Sequence, residues 1–429
     1  MYQAARHPRT LAARLAPPVG VLLAALLGAC GGGGDGGTPP PDPPSSNQFT
    51  QTATWTFALP AANASICYDY DTQAVVADCS GTAWDLKVSS GGRTATLWTN
   101  SGTSGSGGGG AFGGPFDHTW TELSAWQNAT TDPISGAIPQ NLFFKDSASG
   151  VFAGTNDIQS AAFEYALAGE TDHKLYPTYR TFVITTDTSK ADVASTASTQ
   201  VFTLQVIGYY GGASGTTSGF PSFRWADTAA PGTVRTATVD ATADWVYYDL
   251  VNGAEVPSTG TWHIAFNRNN VMLNGGASGS GTVGGYLGKT PAGLYNADGQ
   301  PIASAFLAAT PASTLADLTA ADMALPAAAA DWIKDGQTSA LTVAYQGTYP
   351  SPLNYGWFTY YPSATAASAA GLSATAHLLA ANPESASMLR GGEGTSYSRF
   401  HVTGISYADP ANASSQQTWT IVFDVQPAQ

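Results

Sequence analysis

An internal repeat constrains this chain more than any other feature of its sequence. The loop NSGTSGSG at residues 100–107 and the loop NGGASGSG at residues 274–281 are near-copies, and each follows a strand-like stretch led by a tryptophan. Setting Trp84 on Trp262 aligns both stretches, both loops and the glycine pairs that follow them, GGAFG and GGYLG. Such self-similarity predicts two copies of one structural unit.

Further blocks keep the same order in both copies. They are Tyr70–Asp71 with Tyr248–Asp249, YPTYRTFVITT with YPSPLNYGWFTYY, FTLQVIGYY with FHVTGISY, and PSFRW with QTWTIVF. Between the copies, ADTAAPGTV at residues 226–234 has the composition of a short linker. We therefore predict two tandem domains, at residues 48–227 and 232–429, each large enough to bury its own core.

The blocks themselves indicate the fold class. Runs such as TATWTFAL, FVITT and WTIVFDV alternate or are rich in β-branched and aromatic residues, and turn residues separate them. Helical signal is sparse. One case is residues 314–326, where Thr314 and Asp317 have capping-box spacing and Pro326 ends the segment. The prediction is an all-β protein with two tandem, mostly antiparallel β-sandwich or open-barrel domains and few short helices.

Charge and composition narrow the function classes. The 429-residue chain has a net charge of −14 and no basic stripe, which argues against nucleic acid as a partner. Aromatic residues make up 11% and charged residues only 11%, a mixture typical of a secreted β-rich protein.

The N-terminus carries a targeting signal. Residues 1–30 combine three arginines with an apolar run at residues 19–29 that is too short to cross a bilayer as a mature helix. The run ends in LGAC, which resembles the lipobox of bacterial lipoproteins, so Cys30 is the expected lipidation site. An ordinary cleavable signal with a chance cysteine is the alternative.

The Gly/Pro-rich residues 31–47 are typical of a tether that holds a domain off a membrane. More than one acyl chain on Cys30 would give stable attachment. Gly31, which follows the cysteine, points by resemblance to the outer membrane. We expect a lipid-anchored protein of the bacterial outer membrane, exposed at the cell surface or facing the periplasm.

Two further cysteines, Cys67 and Cys79, lie in CYDYDTQAVVADC. The stretch predicts a hairpin with its turn near Thr72–Gln73. Because the expected compartment is oxidising, we predict a disulfide across it, worth about 2–3 kcal/mol. Metal or redox chemistry is the weaker alternative for two isolated cysteines.

The order of blocks resembles a known family, the HmuY-type haem-binding lipoproteins. WHIAFNRNNVMLNGGASGSGTVGGYLG in the second copy is the closest stretch, and WDLKVSSGGRTATLWTNSGTSGSGGGGAFG in the first is similar. The resemblance implies a tandem all-β protein that binds haem or a related porphyrin and is not an enzyme. It also implies transfer of the haem to a TonB-dependent outer-membrane receptor.

Within this resemblance, histidines are the first candidates for the haem iron, whose axial ligands are His, Met, Tyr or Cys. His118 and His173 lie between the glycine-pair strand and the closing strands, and we predict them as the axial pair. A surface-loop position is the alternative for each. Their counterparts in the second copy fall near Gly293 and Gln346, so haem is expected in the first domain.

The other candidates have structural interpretations. We expect His263 and His401 to lie on solvent-facing sides of strands, and His377 to belong to a short helix. Met272 has the soft thioether of a haem ligand but is equally explained as a core residue. No metal other than haem iron is predicted, since the Ca²⁺-like spacing of Asp69 and Asp71 lacks the rest of a binding loop.

Rival functions stay open. The sequence contains no G-x-S-x-G, H-E-x-x-H or P-loop motif that would indicate an enzyme. A surface adhesion module would use exposed aromatic residues, such as Trp98, Trp120 and Trp126, to bind a carbohydrate or a protein. A third reading keeps the family's scaffold but gives it only a receptor partner.

Overall fold

The fold is mostly β, as predicted. A computed structural model describes residues 48–154, 159–169 and 171–428. Strands account for 39% and helices for 7%, and within these ranges no helix reaches seven residues, which confirms the all-β prediction with few short helices. Among the described residues no helix is long and apolar enough to span a membrane. The predicted signal peptide, Cys30 and the tether at residues 31–47 lie outside the described residues.

The first copy divides into two halves joined by one short strand. Its first half contains β1 (Gln51–Ala58), β2 (Ser65–Asp69), β3 (Ala74–Val76), β4 (Leu86–Ser90), β5 (Ala95–Thr99), β6 (Gly110–Phe112), β7 (His118–Thr119), α1 (Trp120–Ser124), β8 (Thr131–Asp132), β9 (Gly136–Ala137) and a 3-10 turn (Gln140–Leu142). The joining strand is β10 (Ser147–Ser149). Its second half contains β11 (Phe163–Tyr165), β12 (Leu175–Pro177), β13 (Thr181–Thr185), β14 (Val201–Gly211) and β15 (Thr217–Asp227).

The second copy repeats this division. Its first half contains β16 (Arg235–Thr238), β17 (Val246–Asp249), β18 (Ala254–Val256), β19 (Ile264–Asn267), β20 (Asn270–Leu273), β21 (Gly284–Lys289), α2 (Ala303–Ala308) and 3-10 turns (Leu315–Thr319 and Ala329–Asp331). The joining strand is β22 (Gly336–Thr338). Its second half contains β23 (Leu353–Asn354), β24 (Phe358–Tyr361), α3 (Ala364–Ala369), β25 (Leu378–Ala381), β26 (Ser385–Arg390), β27 (Tyr397–Tyr407) and β28 (Gln417–Gln426).

The two large sheets exchange these halves. One has the order β1-β28-β27-β26-β6, with β7 also paired to β26, so it joins the start of the first copy to the end of the second. The other has the order β16-β15-β14-β13-β21 and joins the end of the first copy to the start of the second. All these pairs are antiparallel.

The apolar cores follow the same exchange. Strand β1 alternates exposed and buried residues, as expected for a strand with one face on a core, and turns Ala53, Trp55 and Phe57 inward. They pack with Phe400 and Phe423 from β27 and β28. We call the part built from residues 48–149 and 336–428 the outer unit, and residues 150–335 the inner unit, whose own core spans Val151 to Val283.

The chain crosses between the units at two equivalent points. Strands β10 and β22 pair antiparallel with each other, with Ser147 opposite Thr338. The residue before each strand is an aspartate that accepts the backbone N–H at the end of the tryptophan hairpin. Asp146 accepts from Thr99 at 2.9 Å, and Asp335 accepts from Leu273 at 2.7 Å. Each copy therefore leaves its first half at the same position and continues into the other unit.

The predicted linker is a hairpin turn. Trp225 on β15 lies opposite Arg235 on β16, so residues 228–234 join two adjacent strands of the inner sheet. The described residues, from 48 to 428, form one compact unit. The tandem division at 48–227 and 232–429 stays a prediction about the sequence copies, since each large sheet combines strands from both.

The repeated glycine loop is folded around an asparagine. In the first loop the Asn100 side chain donates to the carbonyl of Trp84 at 2.7 Å and accepts from the Gly107 N–H at 3.0 Å. The second loop repeats both bonds, since Asn274 donates to the Trp262 carbonyl and accepts from a glycine N–H. A Cβ at the loop's middle glycine would collide with the asparagine and the tryptophan ring. The glycines therefore permit the same close backbone packing in both copies.

Two local predictions have different outcomes. The Cys67–Cys79 disulfide is confirmed: it staples the hairpin of β2 and β3, with a Cα–Cα distance of 5.3 Å. The predicted helix over residues 314–326 is wrong in length. Only Leu315–Thr319 forms a 3-10 turn, and the Thr314 hydroxyl donates to the Thr310 carbonyl and accepts from no N-terminal backbone N–H of the turn.

Candidate functional site

His173 is held by a tyrosine. It lies on the loop between β11 and β12, is exposed, and its Nδ1 is 2.9 Å from the hydroxyl of Tyr165 on β11. Two residues later the Leu175 N–H donates to the hydroxyl of Tyr210 on β14, at 2.9 Å, which fixes the start of β12. The pair therefore stands on an anchored hairpin of the inner unit.

The outer unit contains a matching pair. His377 precedes β25, is exposed, and its Nδ1 is 2.6 Å from the hydroxyl of Tyr360 on β24. Two residues later the Leu379 N–H donates to the hydroxyl of Tyr407 on β27, at 2.8 Å. This arrangement repeats the inner hairpin bond for bond.

The sequence alignment of the copies is wrong in this region. The counterpart of His173 is His377, whereas the alignment placed Gln346 there. His377 also lies in a turn and not in the predicted helix, since α3 ends at Ala369. Sequence comparison did not reveal the correspondence of His173 and His377, because α3 lengthens the second hairpin. The tyrosine and the histidine are therefore much farther apart in sequence there. The tyrosine partners, Tyr165 and Tyr360, were missed because hairpin pairing, which the sequence does not state, brings each to its histidine.

His118, the other predicted ligand, belongs to the outer unit. Its Nδ1 is 3.0 Å from Glu122 Oε1, and its ring stacks on Phe112 and lies edge-on to Trp126. The contacts of His118 are thus with outer-unit residues, and those of His173 with inner-unit residues. Ligation of one iron by both histidines stays a prediction, without support from these contacts.

His401 is buried, which corrects its predicted exposure. It lies on the face of the outer sheet that the segment around α1 covers, and is 8% exposed. Trp120 stacks on its ring at 3.7 Å, and its Nδ1 is 2.7 Å from the Pro383 carbonyl. His118 and His401 both lie opposite Ala386, so the sheet aligns these two histidines across three strands.

His263 is also buried, contrary to prediction. It is 4% exposed, and its Nδ1 accepts from the Leu250 N–H at 3.2 Å. The equivalent acceptor in the outer unit is Asp85, which accepts from the Tyr70 N–H at 2.9 Å. Burial lowers the pKa of His263 and raises that of Asp85 well above its usual value, and each side chain accepts a backbone N–H at this position. His263 therefore has a structural role.

A cluster of carboxylates lies beside this position in the outer unit. Asp69, Asp71 and Asp85 have oxygens within 4.8 Å of one another, and Glu393 joins the first two in lining a cavity of about 410 Å³. Asp69 caps its own turn, accepting from the backbone of Asp71 and Thr72. That turn role explains the aspartate spacing seen in the sequence.

Because of this cluster, we expect the free energy of unfolding to fall as pH rises. Burial raises the pKa of Asp71 from 3.8 to about 6, opposed by its hydrogen bond to Ser396 and reinforced by Glu393 and Asp69. The folded state therefore holds the proton more tightly than the unfolded state. Its contribution is complete below about pH 4 and is lost as pH rises through about 6. Two pKa units correspond to at most about 3 kcal/mol.

We expect Asp71→Asn to raise the free energy of unfolding by about 1–3 kcal/mol at pH 7.5 and by about a third as much at pH 4.5. Urea unfolding at both pH values measures this difference. Asp78→Asn is the control, because Asp78 is exposed and the Ser80 hydrogen bond lowers its pKa. An equal effect of Asp71→Asn at both pH values would contradict the assignment.

Comparison with known protein families finds a match for part of the chain. Residues 241–420 match the family model of the HmuY protein. This stretch is similar to the HmuY family. It runs from the first half of the second copy, in the inner unit, into the last strand of the outer sheet, so the HmuY sequence unit spans both structural units. No curated protein and no solved structure matches the chain.

Proposed function

We propose that the chain binds haem, without catalysing a reaction, and that His173 is an iron ligand in the inner unit. HmuY proteins are a haem-binding, non-catalytic family, and the match of residues 241–420 to its model supports the same ligand here. The observation that carries the residue assignment is the bond between the Tyr165 hydroxyl and His173 Nδ1.

The chemistry of this pair suits a metal ligand. A histidine that binds a metal through one ring nitrogen usually donates the other N–H to an oxygen, which fixes the tautomer and the ring orientation. With Nδ1 bonded to Tyr165, Nε2 of the exposed His173 is the nitrogen for the ligand. Haem would supply an iron that accepts an axial imidazole. Tyr165 is then a positioning residue.

The location and partners are part of the same proposal. The lipobox-like LGAC with Cys30 and the tether at residues 31–47 support a lipid anchor in the bacterial outer membrane. From there the protein would capture haem at the cell surface and deliver it to a TonB-dependent receptor. His118 remains the second candidate ligand, within the aromatic layer of Phe112 and Trp126.

Titration of residues 48–429 with haemin, followed by Soret absorbance, tests the proposal. We expect saturable binding that falls in His173→Gln. Tyr165→Phe should weaken the affinity of the same site by about 10–100-fold, as expected for loss of an outer-shell partner. Tyr349→Phe is the matched control, since this tyrosine is 66% exposed.

The outcomes separate the parts of the proposal. Absence of a saturable shift would reject haem and favour the carbohydrate or protein-binding alternative. A shift that survives His173→Gln unchanged would keep haem binding and discard this ligand. Loss in His118→Gln would then move the site to the aromatic layer of the outer unit.

A further inference from the structure

We infer a second haem site in the outer unit, with His377 as its iron ligand and Tyr360 as its positioning residue. The inference rests on the proposed haem binding and extends it to a second, equivalent position. It predicts that one chain binds two haem molecules, one in each structural unit.

The two hairpins contain equivalent hydrogen bonds, although their sequences differ. In each, a tyrosine on the first strand holds Nδ1 of a histidine just before the second strand, at 2.9 Å for Tyr165–His173 and 2.6 Å for Tyr360–His377. The rings lie 6.4 and 5.9 Å apart, both at moderate tilt. Both histidines are exposed, so an external ligand has access to each.

The anchoring of the two hairpins is equivalent as well. A tyrosine near the end of the long central strand, Tyr210 or Tyr407, accepts the N–H two residues after the histidine. The same strand end lies beside an arginine from the tip of the tryptophan hairpin. Burial raises the pKa of Tyr209 in the inner unit and of Tyr407 in the outer unit, and Arg268 and Arg93, respectively, oppose that rise. Each unit thus has an arginine, a cation suited to a propionate, at this end of its central strand.

The outer hairpin also has an apolar surface suited to a porphyrin. Tyr355 stacks on Phe358 at 5.1 Å between ring centroids, and Tyr345 lies 5.3 Å from Tyr355. Tyr345 is 51% exposed, so this aromatic row reaches the surface. Aromatic faces of this kind favour stacking with a flat conjugated ring. His377 itself adopts φ of 69°, a costly conformation for a non-glycine residue that the hairpin maintains.

Four proteins test the inference: residues 48–429 without substitution, His173→Gln, His377→Gln and the double variant. Haemin equivalents per chain are measured by Soret titration and by iron content after gel filtration. We expect two, one, one and none, respectively. Tyr360→Phe should weaken one of the two sites by about 10–100-fold. Circular dichroism and the melting temperature check that each variant is folded.

Failure of this inference differs from failure of the proposed function. One equivalent that is lost in His173→Gln and unaffected by His377→Gln would keep the function and overturn the second site. Two equivalents that survive His377→Gln would overturn His377 as a ligand. No binding by the unsubstituted chain would overturn both. Metal-free protoporphyrin adds a further readout, since its binding should be insensitive to the histidine substitutions.

Discussion

Replacing Trp225 with alanine is expected to lower the free energy of unfolding by about 3–5 kcal/mol. Trp225 lies on β15 and is 2% exposed in the inner core. Its indole N–H donates to the Leu250 carbonyl at 3.0 Å, and its ring meets Tyr248 in a T-shaped contact at 5.4 Å. The loss combines a large cavity with an unpaired carbonyl. Denaturant unfolding measures it, and Trp225→Phe should lose less because most of the cavity stays filled.

A double-mutant cycle makes this prediction specific to the exchanged halves. Trp225 comes from the first copy and Tyr248 from the second, so Trp225→Ala and Tyr248→Leu should couple by about 0.5–1.5 kcal/mol. Tyr68 is the control, because strand pairing puts it, and not Tyr70 as the sequence alignment had it, at the position of Tyr248 in the outer unit. There it stacks on Trp55. A cycle of Trp225 with Tyr68 should be additive. Coupling to Tyr68 and additivity with Tyr248 would mean that each copy folds on itself.

The sequence predicts the elements of this fold well because they are local. The alternation of apolar and polar residues in TATWTFAL predicts β1. The turn residues after ICYDY predict the hairpin that the disulfide closes. The pairing of those elements is non-local. Strands with the same pattern occur twice, and nothing in a strand's own residues states whether its partner is in the same copy or the other. The exchange through β10 and β22 was therefore invisible in the sequence.

The candidate site shows the same limit. His173 was found because ligand-type residues can be counted in a sequence, but its partner, Tyr165, is defined by a hairpin register. His263 and His401 were expected on the surface because polar side chains on alternating strands usually face solvent. Each is buried because another layer covers that face, and Nδ1 of each ring bonds to a backbone group there.

The second large effect concerns the connection between the two copies. A protease recognition site inserted in the turn at residues 228–234, which is mostly exposed, should be cut without separating the protein. The fragment ending near residue 230 supplies β1, β6 and β13–β15, and the other supplies their partners β28, β26, β21 and β16. Both apolar cores are therefore shared between the fragments, which is the situation of an obligate complex.

We expect the cut protein to elute as one species of unchanged size and to separate into two fragments only in denaturant. The uncut protein with the same insertion is the control for any effect of the inserted residues. Two tandem domains joined by a linker would instead separate on cutting, because little apolar surface would cross from one fragment to the other. Separation under native conditions would therefore contradict the exchanged sheets, whereas co-elution together with Trp225–Tyr248 coupling leaves no arrangement in which each copy closes on itself.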